Sequence, residues 1–225
     1  VLPKTGVKHV VITEVADMLP PLKRMLINAV VKHVKKMVPA YSLPKAVKLN
    51  DALALGRGKA VREASPKSED VAVLQYTGGT TGVAKGAMLT HGNLVANMLQ
   101  VDACLSQLGP DGTPLMKQGQ EIMIAPLPLY HIYAFTANCM CMMVTGNHNV
   151  LITNPRDING FVKELQRWQF SAFLGLNTLF VALMAHPQFK KVDFSRLKGT
   201  NSGGTALVSA VAERWKSMTG CTVVE

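Results

Sequence analysis

The chain has 225 residues, 48% of them hydrophobic and 17% charged, with a formal net charge of +10. That size can bury a sizeable core, and the composition excludes an intrinsically disordered chain. The excess of cations implies anionic partners such as a nucleotide, another phosphate compound or an anionic membrane surface, while no interleaving of aromatic and basic residues suggests nucleic acid.

In chain order, residues 7–13 read as a strand and residues 22–38 as an amphipathic helix. Leu26, Ile27, Val30, Val31, Val34, Met37 and Val38 share one face of that helix, and Arg24, Lys32, Lys35 and Lys36 share the other. Pro39 and Pro44 end it. Two readings stay open: a core helix with a solvated basic face, or a basic face resting on an anionic membrane. Residues 56–70, with Gly56, Gly58 and Pro66, read as a connector. The expected organisation is a peripheral segment over 1–68 and an α/β core over 69–225.

From Val71 the pattern becomes regular. A strand at 71–75 runs through a glycine-rich loop to a helix capped by Thr90, with an apolar stripe of Leu94, Met98, Val101, Leu105 and Leu108. After a polar loop at 109–112 come strand 121–125, helix 132–144, strand 149–152 and helix 158–168, the last capped by Asp157. Strand 171–175, helix 177–186, strand 197–201, helix 208–219 and strand 222–224 complete the series. Such alternation predicts βαβ units and a mostly parallel sheet flanked by helices. Residues 122–155 contain no Asp, Glu, Lys or Arg, but Pro126, Pro128 and Gly146 interrupt them. The apolar helical stretch within them falls short of the ~18 residues a membrane span needs, so it reads as core.

Chemistry concentrates in three places. The first is Tyr76-Thr77-Gly78-Gly79-Thr80-Thr81-Gly82-Val83-Ala84-Lys85-Gly86. Glycines let the backbone approach a ligand, threonines add hydroxyl donors, and Lys85 adds a point charge. Consecutive backbone N–H groups can form an anion nest. Lys85 is not followed by Ser or Thr, so the loop is not a Walker loop, and it lacks the dinucleotide glycine spacing. The second is Pro126-Leu127-Pro128-Leu129-Tyr130-His131-Ile132-Tyr133 after a strand, at the end of an open α/β sheet where ligands bind. A lone histidine is more often a core residue, but the flanking prolines make a braced loop. The third is Asn201-Ser202-Gly203-Gly204-Thr205-Ala206-Leu207, which alone reads as a plain strand-to-helix turn. The four cysteines, Cys104, Cys139, Cys141 and Cys221, form no Cys-x-x-Cys pair and read as reduced, buried thiols. No Gly-x-Ser-x-Gly elbow appears, which argues against a hydrolase.

The first stretch resembles the phosphate-binding signature of the adenylate-forming enzymes, the superfamily of acyl-CoA synthetases, luciferase and peptide-synthetase adenylation domains. It departs at Gly79 and at Ala84, where Pro is usual. The segment from Leu74 to His91 is similar to bacterial long-chain fatty-acyl-CoA synthetases. The Tyr130-His131 octapeptide resembles the second signature, in which the histidine lies beside the acyl carboxylate. The Gly203-Gly204 turn resembles the adenine-contacting Gly-Gly-Ala-Pro turn, with Thr205 and Ala206 in place of Ala-Pro.

The resemblance implies that the chain belongs to the large N-terminal domain of such an enzyme. It implies a ligase using ATP, Mg²⁺, a fatty acid and CoA, with His131 in the chemistry and Tyr130 and His131 at the substrate. It assigns Tyr76, Thr77, Gly78, Gly79, Thr80, Thr81, Gly82, Lys85, Gly86, Gly203, Gly204 and Thr205 to the nucleotide, and Thr80 to the metal. It further implies that a metal-binding Glu motif, a ribose-binding Asp and a C-terminal domain with a catalytic Lys follow Glu225. The isolated 225 residues are then not expected to make acyl-CoA. The expected location is cytoplasmic, with peripheral membrane contact; oligomeric state stays open, a homodimer being one form. Two rivals remain: an acyl-AMP ligase that loads a carrier protein, and a nucleotide-binding module without turnover.

Overall fold

The computed structural model describes residues 4–61, 63–77, 85–108 and 112–225. Two compact units divide the chain, Val1–Ala64 and Ser65–Glu225.

In the first unit, β1 (Val11–Ile12) pairs in parallel with β2 (Val47–Lys48), which runs into α2 (Leu49–Gly56). Between them lies α1 (Pro21–Ala29), opened by a proline in its first turn, where the missing N–H costs nothing. A π-helical turn over Val30–Val34 extends it. The strand expected over 7–13 shrinks to two paired residues. The helix expected over 22–38 stops at Val34, and no residue of α1 or the π turn is buried. The expected apolar stripe is therefore not a core stripe among the described residues.

The second unit begins with a hairpin. β3 (Val71–Thr77) pairs antiparallel with β4 (Lys85–Thr90), so that Thr77 faces Lys85 and Tyr76 faces Gly86. The glycine loop therefore joins two strands; the expected direct passage from strand to helix missed β4. Most of β4 is exposed and shows no apolar alternation. Thr90 then caps α3 (His91–Leu105) with a capping box: the Asn93 N–H donates to Thr90 Oγ1 at 3.2 Å, and Asn93 Oδ1 accepts from the Thr90 N–H at 3.1 Å. Leu108 lies beyond the helix, in a bridge with Pro114.

Five parallel strands follow: β5 (Ile122–Ala125), β6 (His148–Leu151), β7 (Ala172–Gly175), β8 (Gly199–Ser202) and β9 (Val223–Val224). Their spatial order is β6-β5-β7-β8-β9. The connection after β5 is a loop that runs into a continuous helical stretch: α4 (Ile132–Ala134), a π-helical segment Phe135–Cys141 and α5 (Met142–Val144). The others carry α6 (Ile158–Leu165), α7 (Asn177–Ala185) with a 3₁₀ turn at Pro187–Lys191, and α8 (Ser209–Thr219). Asp157 caps α6, its Oδ1 accepting from the Gly160 N–H at 2.9 Å. Gly220, at φ +76°, ends α8 in the left-handed conformation.

The pleat divides the side chains between two faces. Ile124 and Phe173 point into an aromatic layer formed with Phe161, Phe180, Phe189 and Trp215, under α6, α7 and α8. Met123, Ala172 and Leu174 point the other way, toward α3 and the π-helical segment. The first face is closely filled: Phe180 and Trp215 have ring centroids 4.7 Å apart, and the buried Trp215 Nε1 donates to Thr200 Oγ1 at 3.1 Å. The second face is not filled. A cavity of about 1040 Å³ lies there, lined by residues such as Val101, Met116, Met123, Ala137, Met142 and Leu174.

Candidate functional site

The chain leaves β5 toward the π-helical face and leaves β7 toward the aromatic face. Strand order reverses between these neighbours, which opens a crevice at their carboxyl ends. The Pro126–Tyr133 loop follows β5, and the Gly203 turn follows β8, the next strand beyond β7. The sheet topology thus brings the second and third motifs to one edge.

His131 is the N-cap of α4 and is exposed, so it is not a core histidine. Its Nδ1 accepts from the Tyr133 N–H at 3.3 Å, which in the neutral ring leaves the proton on Nε2 as a donor for a ligand. The loop is braced by the His131 N–H donating to the Pro128 carbonyl at 2.9 Å. Tyr130 is also exposed.

Tyr133 joins the two motifs. Its hydroxyl donates to Asn201 Oδ1, across 68 residues of sequence. Burial pushes its phenol up to about 12, so it is a neutral donor at physiological pH. A Cβ on Gly203 would sit 3.0 Å from the Tyr133 ring, so this glycine is needed for the close approach of the turn. Gly204 has φ +84°, and Thr205 is exposed. Ser202 Oγ, buried beside them, has no hydrogen-bond partner among the described residues. Sequence reasoning quoted Tyr133, Asn201 and Ser202 without giving them a role. The only available signal was that each sits at the carboxyl end of a predicted strand or just beyond it.

Tyr133 and Asn201 also line the 1040 Å³ cavity, together with Ile132 and Thr136. Among the described lining residues the only charged one is Lys198, at the far end. There Lys198 Nζ donates to Glu121 Oε1 at 2.6 Å, and the Lys117 N–H donates to the same oxygen at 2.7 Å. Burial alone would push the Glu121 carboxyl up. The hydrogen bonds from Lys198, Ser171 and Lys117, with the Lys198 charge, outweigh it and hold the group below its ordinary value.

The first motif forms its own cluster. Tyr76 lies over Gly86, where a Cβ would touch the ring at 3.4 Å, and Thr77 and Lys85 are cross-strand partners at the hairpin end. Gly78, Gly79, Thr80, Thr81 and Gly82 lie outside the described residues. All four cysteines are free: Cys141 and Cys221 are buried, as expected, but Cys139 is half-buried and Cys104 exposed. No helix among the described residues is long and apolar enough to cross a membrane.

The sequence pattern that defines AMP-binding enzymes matches residues 1–225. The chain belongs to the AMP-binding enzyme family. Within this family it is similar to a long-chain-fatty-acid–CoA ligase of Haemophilus influenzae, 48% identical over 221 residues, covering 98% of this chain and 38% of that protein. A long-chain-fatty-acid–CoA ligase of Escherichia coli O157:H7 is 47% identical over 225 residues, covering 100% of this chain and 39% of that protein. The chain therefore spans less than two fifths of the length of these relatives. In fold it matches the crystal structure of ATP-bound MatB from Rhodopseudomonas palustris. The TM-score is 0.64 at 23% identity, covering 96% of this chain and 39% of that one.

Proposed function

We propose that this AMP-binding chain is part of a long-chain fatty-acid–CoA ligase. The observation that carries the reading is the large apolar cavity, which Tyr133 and Asn201 line at the sheet edge that bears His131 and Gly203. Its volume is at the upper end for ligand pockets, and its lining suits an alkyl chain with the carboxylate left at the edge. The names of the relatives agree with that substrate class.

In the first half-reaction the fatty-acid carboxylate oxygen attacks the α-phosphorus of ATP. A carboxyl–phosphate bond forms, and the bond to the leaving pyrophosphate breaks. In the second, CoA thiolate attacks the acyl carbon and AMP leaves. The first step brings two anions together, so charge cancellation dominates the catalysis. His131 would orient the carboxylate through Nε2–H, since its Nδ1 is taken by the Tyr133 N–H. Lys85, Thr77 and the loop of Gly78, Gly79, Thr80, Thr81 and Gly82 would take the β- and γ-phosphates, and Gly203, Gly204 and Thr205 would pass the adenine along the backbone. Among the described residues no group of three or more His, Cys, Asp or Glu could hold a metal ion. Thr80, the expected metal contact, lies outside the described residues; Mg²⁺ usually binds through one or two carboxylates together with substrate phosphates. The same reading includes a cytoplasmic protein that meets the inner face of the membrane peripherally.

Pyrophosphate release by the full-length protein, measured over a panel of carboxylic acids with and without CoA, tests the proposal. Long-chain acids should release pyrophosphate, and CoA should yield the thioester. If no acid stimulates release, the ligase reading fails. If release occurs but only a carrier protein accepts the acyl group, the CoA step fails.

A further inference from the structure

On the sheet side of the 1040 Å³ cavity lie two rows of residues that differ in size. Strand pairing sets Leu174 beside Asn201 and Asn201 beside Val224 in one row. Two residues farther from the carboxyl edge, about 7 Å back along the strands, it sets Met123 beside Ala172 and Ala172 beside Gly199. All six residues line the cavity. Along β7 and β8 the side chains therefore shrink from Leu and Asn to Ala and Gly. The backbone does not require Gly199. Its φ is not positive, and the β7–β8 pairing runs without a shift from Ala172–Gly199 to Gly175–Ser202, so there is neither a left-handed turn nor a bulge. A strand glycine forfeits side-chain packing, and without a bend or bulge it marks the close approach of another body. For Gly175, on β7, that body is protein: a Cβ there would lie 2.6 Å from the Phe180 ring. A Cβ on Gly199 would meet no atom within 4 Å among the described residues.

In the ligase reading the carboxylate reacts at the carboxyl edge, beside His131, so the tail of the acid runs back toward the amino edge. It passes the Leu174–Asn201 row first and the Ala172–Gly199 row second. We propose that Gly199, with Ala172 beside it, sets the acyl length that this protein accepts. The missing side chain is the space into which the distal methylenes of a long saturated tail fit. This rests on the ligase reading and adds to it the residue that selects among acids. The helical wall of the cavity contributes apolar side chains such as Val101, Leu105 and Ala137, which suit methylenes. The next residue toward the amino edge, Lys198, is already paired with Glu121 at 2.6 Å. An alkyl tail offers that pair no replacement partner, so the small-residue row is also where the tail ends.

The test uses the full-length protein, with Gly199→Leu to fill the space and Gly199→Ala to fill part of it. Pyrophosphate release is measured over saturated acids from hexanoic to stearic. In Gly199→Leu the kcat/KM for palmitic and stearic acids should fall about tenfold or more. For the shortest acid that the parent protein accepts, it should stay within about twofold, and the KM for ATP should not change. Gly199→Ala should shift the profile the same way by about fourfold, the worth of one methylene. Neither variant should melt below the parent, because the added carbons enter space that no protein atom fills. An unchanged length profile, or a uniform loss across all acids, overturns the proposal while the ligase reading stands. So does a lowered melting temperature in either variant, because another segment of the protein then occupies the row. A parent protein that releases no pyrophosphate with any acid overturns both.

Discussion

The two edges of the five-stranded sheet are built from the same strands and behave as opposites. At the amino edge the charges are paired, although Glu121 Oε2 has no hydrogen-bond partner among the described residues. Glu121, 1% exposed, is held by Lys198 and Lys117, and Asn147 Oδ1 accepts from the N–H groups of Gln120 and Glu121 at 3.1 Å each. Among the described residues the carboxyl edge leaves groups open: the Nε2 side of His131, the unpartnered Ser202 Oγ, and a glycine turn lying against a tyrosine ring. An edge with its charges paired serves stability, and an edge with polar groups in reserve can serve a ligand. Substitutions should therefore separate cleanly into those that cost folding and those that cost turnover.

The largest effect belongs to the amino edge. Lys198→Met leaves a carboxylate buried without its cation and should cost about 3 kcal/mol. That is the low end for breaking a buried pair, because the Lys198 side chain is 38% exposed. Chemical denaturation would measure it, with activity per folded molecule retained. The pair also sets an acid limb. The folded carboxyl of Glu121 lies below its ordinary value, so its contribution is present above the unfolded value and is lost as pH falls through the folded one. Lys198→Met should flatten that limb; an unchanged acid profile would remove the pair from the account.

Next comes His131→Ala at the other edge. It should lower adenylate formation about a hundredfold, in line with losing one preorganised donor. Stability should fall by no more than the ~1 kcal/mol of a lost cap. A large drop in melting temperature with turnover intact would erase the contrast between the edges. Lys85→Ala should raise the KM for ATP by about tenfold or more, the worth of one charge-assisted contact, and leave fatty-acid dependence alone. Unchanged ATP kinetics would take Lys85 out of the site. The smallest effect sharpens the picture. Tyr133→Phe keeps the ring against Gly203 but drops the bond to Asn201, at about 1 kcal/mol. It should alter acid selectivity more than melting, and equal selectivity profiles would make the contact purely structural.

The sheet was legible because its strands are short apolar runs bounded by turns, and buried strands of a parallel sheet look like that. Thr90 and Asp157 were legible as caps because a helix start constrains local chemistry. β4 was not, because Lys85, Gly86 and Ala87 are exposed and show no alternation. In α1 periodicity identified a helix but could not say which face meets water, since the anchor is the polar Asn28. At the site, the His131 loop and the Gly203 turn were visible as separate motifs. Their junction was not: the Tyr133–Asn201 bond spans 68 residues, and no local pattern encodes a contact at that range.

The π-helical segment Phe135–Cys141 has a consequence for how this fold can change. A π turn is an α turn with one residue too many. Removing a single residue there would let the segment tighten to an ordinary helix, while β5 and β6 on either side keep their pairing. Everything before the deletion, His131 included, would stay in place. Thr136, Ala137 and Cys141, which line the cavity, would be rotated or lost as a group. One codon could thus reshape the pocket without touching the carboxyl edge of the sheet, and length variation among relatives should concentrate at this turn before it appears in the strands.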